Sequence, residues 1–289
     1  MTLLCVASVK GSPGVTLTTL ALAAAWPTEH DDQKVLIEAD ADGGTLAVHY
    51  QLGRDPGLIG LTAAAGHQLD IADVWNHSQE LPGGLPVVVA PDQPDKAANI
   101  ISTAGCTLAR PLAQRNDLVA LVDCGRLSSR SAANDIVRHA DALIVVLRPT
   151  APNIQIAAHR LAAQRRLCEN VTWLLVGDRP YSPAEIQGVH QVPVLGVIAD
   201  DLIGARGLEH GTSDKKLRRS AFIRSIANVA DTLADRFPLA PPGSAAVVVG
   251  DEGPAVDDRP PPPSAAPPSA FTGASADDGT TDTPVEGGP

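Results

Sequence analysis

Aromatic residues and cysteines are both scarce in this 289-residue sequence. Aromatic side chains make up 3% of the chain and apolar residues 44%, so Val, Leu, Ile and Ala must build the core. An aliphatic core of this kind suits a parallel sheet that helices cover on both faces. The cysteines form no C-x-x-C pair, and we expect them to be reduced core residues of a cytosolic protein: Cys5, Cys106, Cys124 and Cys168.

Long hydrophobic runs are absent as well. No apolar stretch reaches the ~18 residues that a membrane-spanning helix requires. Residues 1–9 are apolar, but this stretch is short and no basic segment precedes it, which argues against a signal peptide. We therefore expect a cytoplasmic protein, and any contact with a membrane or the nucleoid would be peripheral.

Positive charge is in deficit, and the deficit is concentrated near the C-terminus. The net charge is −11, and residues 239–289 contribute −7 of it through eight acids and one arginine, which leaves −4 for the rest. Such a mildly acidic body argues against strong overall attraction to nucleic acid. Proline also becomes frequent after Phe237, while apolar periodicity ends. We predict one folded domain over 1–237 and a disordered Pro-, Ala- and Asp-rich acidic tail over 238–289.

Short apolar runs alternate with helical patterns through the first 237 residues. Runs that indicate strands lie at 3–8, 35–37, 87–90, 118–122, 142–147, 173–176 and 194–198. Helical patterns begin near Val15, Pro94, Ser128, Asn153, Pro183 and Lys215. This alternation predicts an α/β fold with a doubly wound, mainly parallel sheet and helices on both faces. Ligands of such sheets bind beyond the carboxyl ends of the strands.

A glycine-bearing turn joins the first apolar run to an Ala- and Leu-rich helical pattern. Backbone N–H groups in such a turn, with the partial positive charge of the helix N-terminus, suit a phosphate group. The phosphate-loop pattern is G-x-x-x-x-G-K-[ST]. Here Val9 replaces the first glycine and Val15 replaces the lysine, while Gly14 and Thr16 match. Taken alone, the turn fits a phosphate site or a plain cap of a buried helix.

This turn resembles the phosphate loop of the ParA/MinD family of ATPases. The family's loop, K-G-G-x-G-K-[ST], has a second lysine, whose place Lys10 takes here. Four further segments resemble family motifs in the same order. They are I-E-A-D-A-D at 37–42 (the D-x-D segment), D-C-G at 123–125 (Walker B), A-D-A-L-I-V-V with Pro149 at 140–149, and V-P-V-L-G-V-I at 192–198. The resemblance spans 1–237 and implies a P-loop NTPase fold of the SIMIBI type.

The resemblance also implies roles for individual residues. Thr16 and Asp123 would hold Mg²⁺, Asp123 through water, and Asp40 would orient the attacking water. Glu38 takes the place of the preceding acid of that segment, and Lys10 would reach a partner's phosphates across a dimer interface. Each of three residues also has a structural alternative: Asp123 as a strand-end carboxylate that caps the next turn, Asp40 as a solvated turn aspartate, and Lys10 as a solvated loop lysine. The implied nucleotide-binding set is Lys10, Gly11, Ser12, Pro13, Gly14, Val15, Thr16 and Thr18.

The valine at position 15 determines how much ATP hydrolysis we expect. Valine offers no donor for the phosphates, and loss of one preorganised transition-state contact typically lowers the rate ~10²–10³-fold. We therefore expect weak or absent ATP hydrolysis, with binding still allowed through backbone N–H groups and Lys10. Arg126, just beyond Asp123, fits either a nucleotide contact or a helix cap. The histidines are too scattered to suggest a metal site.

A basic segment at 215–224 starts the last helical pattern. It fits a solvated helix face or a patch for DNA or lipid, and the acidic tail that follows argues against membrane anchoring. Three functions stay open. The first is a dimeric, nucleotide-dependent protein that positions chromosomes, division machinery or pilus and secretion machinery with its protein partners, most similar to the CpaE/TadZ branch. The second is a nucleotide-free pseudo-ATPase scaffold, and the third is an ATP-dependent ligase or synthetase.

Overall fold

The computed structural model describes residues 2–10, 13–28, 33–66, 69–115, 117–209 and 219–239. Gly11 and Ser12 of the predicted nucleotide-binding set lie outside these residues. So do residues 215–218 of the basic segment and residues 240–289 of the predicted tail. The predictions made for them, and the domain boundary after residue 237, therefore stay predictions.

The described strands form an eight-stranded sheet in the order β3-β4-β2-β5-β1-β6-β7-β8. The strands are β1 (Thr2–Ser8), β2 (Lys34–Glu38), β3 (Gln79–Glu80), β4 (Pro86–Val88), β5 (Val119–Arg126), β6 (Ala142–Leu147), β7 (Val171–Val176) and β8 (Val194–Ile198). All neighbouring strands run parallel except β3 and β4, which pair antiparallel at one edge. The predicted fold class, a mainly parallel doubly wound sheet, is confirmed.

Helices cover both faces of the sheet. They are α1 (Val15–Ala25), α2 (Leu46–His49), α3 (Leu58–Ala65), α4 (Ile71–Asn76), α5 (Pro94–Thr107), α6 (Ala109–Ala113), α7 (Asn134–Val137), α8 (Ala151–Leu167), α9 (Pro183–His190), α10 (Leu202–Glu209) and α11 (Ala221–Arg236). Alternate residues of a strand point to opposite faces, so β1 contributes to two cores. Leu3 and Cys5 join the cluster with α3, α5 and α8, whereas Leu4 and Val6 join the one with α1 and α11.

Each of the seven apolar runs of the sequence forms a strand, and the runs at 142–147 and 194–198 match β6 and β8 in full. The two-residue β3 carries no apolar pattern and was not predicted. One helix start differs from prediction: the helix expected near Ser128 begins at Asn134, after a turn. The start expected near Lys215 lies outside the described residues, and the last described helix begins at Ala221 with Ser220 as its N-cap.

The strand order places the carboxyl ends of the central strands around the loop that follows β1. β1 lies between β5 and β6; the chain leaves β1 for β2 on one side and passes from β5 to β6 on the other. Such a switch in direction opens a crevice at the carboxyl edge of a parallel sheet, where ligands bind. Within the described residues, no helix is long and apolar enough to cross a membrane.

Candidate functional site

The loop after β1 ends at Gly14, which is the N-cap of α1 and has φ 89°. Glycine adopts this left-handed conformation without steric cost, which lets the chain turn sharply into the helix. The first backbone N–H groups of a helix have no carbonyl partner within it, so they can bind an anion. Thr18 N–H donates to Gly14 O at 2.8 Å, and Lys10 is exposed at the other end of the loop.

Val15 stands where the phosphate-loop pattern has lysine, and its side chain is buried. It is 7% exposed and belongs to the same apolar cluster as Leu4 and Val6 of β1. Its side chain therefore contributes to the core beneath the loop and offers nothing to a phosphate. The implied role of Val15 in nucleotide binding is limited to its backbone.

Asp123 lies on β5 beside the loop and is only 1% exposed. Its Oδ1 accepts a hydrogen bond from Gly125 N–H at 2.9 Å, while Oδ2 has no hydrogen-bond partner among the residues that the structure describes. Burial raises the pKa of Asp123 from 3.8 to about 7, although the Thr16 hydroxyl and the Gly125 N–H act in the opposite direction. The structure thus brings Thr16 and Asp123 together, as the resemblance implied.

A buried carboxylate oxygen without a partner, next to a hydroxyl, fits the donors that Mg²⁺ uses. Mg²⁺ keeps several of its waters and takes one or two carboxylates along with phosphate oxygens, so it needs no dense cluster of protein ligands. The described residues contain no group of three or more His, Cys, Asp or Glu arranged to hold a metal. Thr16 and Asp123 are the residues that would hold the ion.

Asp40 follows β2 and lies directly against Gly125. A Cβ atom at Gly125, which has φ 54°, would overlap the Asp40 carboxyl group. Asp40 Oδ1 accepts from Asp42 N–H at 2.9 Å, and the Asp42 carboxylate pairs with Arg126 at 3.0 Å. Burial raises the pKa of Asp40. The segment after β2 and the segment that ends β5 are therefore joined by a close contact and an ion pair. Arg126 pairs with Asp42 here, and a nucleotide contact or a helix cap for it stays a prediction.

Glu38, the acid two positions before Asp40, has a structural role. Its carboxylate accepts three backbone hydrogen bonds, from Thr45 N–H at 2.6 Å, Leu46 N–H at 3.0 Å and Ala90 N–H at 3.0 Å. It thereby fixes the loop before α2 and the end of β4, and burial raises its pKa. With both carboxylate oxygens engaged by backbone, Glu38 does not share the chemistry proposed for Asp40.

A cavity of about 190 Å³ lies beside the loop, at the start of α1. Its lining includes Pro13, Gly14, Leu17 and Thr18 on one side and residues that follow β6 and β8 on the other. Among the latter, Arg148 forms a bidentate ion pair with Asp200, with Nη1–Oδ2 at 2.6 Å and Nη2–Oδ1 at 3.1 Å.

The adjacent acid, Asp201, is held by backbone instead. Its two carboxylate oxygens accept from Gly204 N–H at 3.0 Å and Phe222 N–H at 3.4 Å. Sequence reasoning missed Arg148, Asp200 and Asp201 altogether. The available signal was their position at the carboxyl ends of β6 and β8, the edge where ligands were already expected.

Many solved structures are similar to this chain over most of its length, and three of them serve as examples. The ParA family ATPase of Chlorobium tepidum is 18% identical with a TM-score of 0.64, and the match covers 80% of this chain and 98% of that one. The septum site-determining protein MinD of Pyrococcus horikoshii, solved with Mg-ADP, is 16% identical with a TM-score of 0.63, covering 80% and 95%. The MinC:MinD complex of Aquifex aeolicus is 15% identical with a TM-score of 0.60, covering 81% and 96%.

Sequence comparison adds no further relative: no protein-family model and no curated protein matches the chain. At these identities the similarity concerns the three-dimensional structure, and it confirms the fold that the motifs implied. The chain has the fold of the ParA and MinD ATPases.

Proposed function

We propose that this protein is a Mg²⁺-nucleotide-dependent positioning or partitioning protein with weak ATP hydrolysis. One observation carries the proposal most directly. The Asp123 Oδ2 atom is buried and unpartnered among the described residues, and it lies beside Thr16 where the loop after β1 enters α1. An unpartnered buried carboxylate oxygen is costly unless a ligand engages it. The Mg-ADP in the P. horikoshii MinD structure supports a nucleotide and Mg²⁺ as those ligands.

Different residues of the site would bind different parts of the Mg²⁺-nucleotide. The N–H groups at the start of α1, from Val15 onward, would bind phosphate oxygens, and Thr16 and Asp123 would hold the ion. When bound, Mg²⁺ would neutralise phosphate charge. Asp40, fixed against Gly125, would orient a water molecule for attack on the terminal phosphate.

Slow turnover follows from the buried Val15. The lysine of the usual pattern is the cation that contacts the phosphates undergoing transfer, and a valine in the apolar core cannot replace it. We therefore propose a protein that binds nucleotide as a signal more than it hydrolyses it. The ligase or synthetase reading requires brisk phosphoryl chemistry and is the least supported of the three.

We further propose a cytoplasmic homodimer with protein partners in a division, partitioning, pilus or secretion system. MinD in the A. aeolicus structure is in a complex with MinC, which supports a protein partner for a chain of this fold. Lys10 is exposed at the end of β1 and carries the positive charge that Val15 lacks. It would contact the phosphates of its own or of the second subunit.

The buried Val15 also favours a second candidate, a scaffold that binds no nucleotide. Sedimentation velocity of the full chain with and without Mg-ATP separates the two. We expect Mg-ATP to promote dimer formation, and Lys10→Ala to weaken that response by about 1.5–3 kcal/mol, the contribution of one charged hydrogen bond.

Lys96→Ala is the matched control, because Lys96 is also exposed but lies on α5, which follows β4 and not the phosphate loop. It should behave like wild type. Profiles that are identical with and without Mg-ATP would refute the switch and favour the scaffold.

A further inference from the structure

The phosphate site is short of positive charge. Glu38, Asp40, Asp42 and Asp123 lie at or next to it, and Arg126 already pairs with Asp42. With Val15 in the core, the loop itself offers one cation, Lys10, and the described cations that line the cavity beside the loop are Arg148 and, on α10, Arg206. Mg²⁺ would neutralise only part of the charge on a phosphate chain, so a further side-chain cation from elsewhere in the site would strengthen binding.

Arg148 lies where it can supply that cation. It follows β6, the strand directly beside β1, and lines the same cavity as Gly14 and Thr18 of the phosphate loop. Its side chain is 47% exposed, so it is not locked into the core. The side chain of its partner, Asp200, is 56% exposed and accepts two hydrogen bonds from the guanidinium. Guanidinium groups bind phosphates through the same bidentate arrangement.

Separating Arg148 from Asp200 also costs little free energy. Exposed ion pairs contribute little to stability, because water solvates both charges well once they separate. Asp201 next to it is different, since backbone N–H groups at the starts of α10 and α11 hold both of its oxygens. Asp200 can therefore release Arg148 without disturbing either helix.

Resting on the proposed function, we propose that Arg148 binds the nucleotide phosphates in place of the missing loop lysine. In the nucleotide-free protein, the Asp200 carboxylate pairs with the Arg148 guanidinium. On binding, Arg148 exchanges this carboxylate for phosphate oxygens, so that Asp200 and the nucleotide compete for the same group.

The competition gives the two partners of one ion pair opposite effects on affinity. With Mg-ATP as the probe in calorimetric titration, Arg148→Ala should weaken binding about 10- to 100-fold. Asp200→Asn should strengthen it by up to about fivefold, because the guanidinium becomes free. Arg148→Lys should recover only part of the loss, since an ammonium keeps the charge but not the fork.

Arg54→Ala is the control, because Arg54 pairs with Asp92 at the same 2.6 Å distance but does not line the cavity. It should bind like wild type. Unchanged affinity in Arg148→Ala, or weaker binding in both Arg148→Ala and Asp200→Asn, would overturn the inference while the proposed function stands. Absence of binding in both wild type and Asp200→Asn would overturn the proposed function and this inference together.

Discussion

Replacing Asp123 by asparagine should change how the stability of the protein depends on pH. Asp123 is buried and its pKa is raised from 3.8 to about 7. The folded protein thus retains a proton on this carboxyl group over a range in which the unfolded chain has lost it. Stability from this group is fully present below pH 3.8, falls as the pH rises towards 7, and levels off above it.

The magnitude follows from the two pKa values. A rise from 3.8 to about 7 corresponds to about 4 kcal/mol in total. Roughly 2 kcal/mol of this falls between pH 5 and pH 7, because the slope of about 1.36 kcal/mol per pH unit flattens as the pH approaches 7. Asparagine has nearly the same shape, keeps an oxygen to accept from Gly125 N–H, and does not titrate.

Urea unfolding followed by circular dichroism, at several pH values between 5 and 8 and with EDTA present, measures the difference. Wild type should lose about 2–3 kcal/mol more than Asp123→Asn over this range. Glu38 and Asp40, whose pKa values are also raised, titrate in both proteins and so largely cancel. Parallel pH profiles for the two proteins would refute the view that burial raises the pKa of Asp123 in the metal-free protein.

Two further substitutions test the site. Val15→Lys should raise ATP turnover roughly 10²–10³-fold over wild type in a phosphate-release assay if Asp40, Thr16 and Asp123 are correctly placed. Val15→Met, of similar length but uncharged, should not, and equal rates for the two variants would contradict the argument. Gly125→Ala should destabilise the protein by more than the ~1–2 kcal/mol of a left-handed alanine, because its Cβ overlaps the Asp40 carboxyl group. The double variant Asp40→Ala/Gly125→Ala should recover part of that loss in urea unfolding; no recovery would show that the overlap is not the cause.

The sequence predicted the sheet well because its central strands are buried on both faces. Such strands read as unbroken apolar runs, as 142–147 does in β6. The antiparallel β3 spans only Gln79 and Glu80, which carry no such signal. The short helices α2 and α3 were missed for a similar reason, because tertiary contacts hold them. Glu38, for example, accepts from Leu46 N–H at the start of α2.

The site was only partly predictable. Motif order placed Thr16, Asp40 and Asp123 at one edge, and the structure brings Thr16 to Asp123 and Asp40 to Gly125. The different roles of Glu38, which ends β2, and Asp40, which follows it, depend on which backbone N–H groups each carboxylate contacts, and distant loops supply those groups. Arg148 and Asp200 are 52 positions apart in sequence, so no local pattern could pair them.

The central claim is that this fold still binds a Mg²⁺-nucleotide despite the buried Val15. Isothermal titration calorimetry of the full chain with Mg-ATP and Mg-ADP tests it most directly, with EDTA and Thr16→Ala as comparisons. We predict saturable binding that is lost in EDTA and weakened in Thr16→Ala, since Thr16 and Asp123 would hold the ion that binds the phosphates. Absence of saturable binding for both nucleotides, or binding of equal strength with EDTA, would contradict this account.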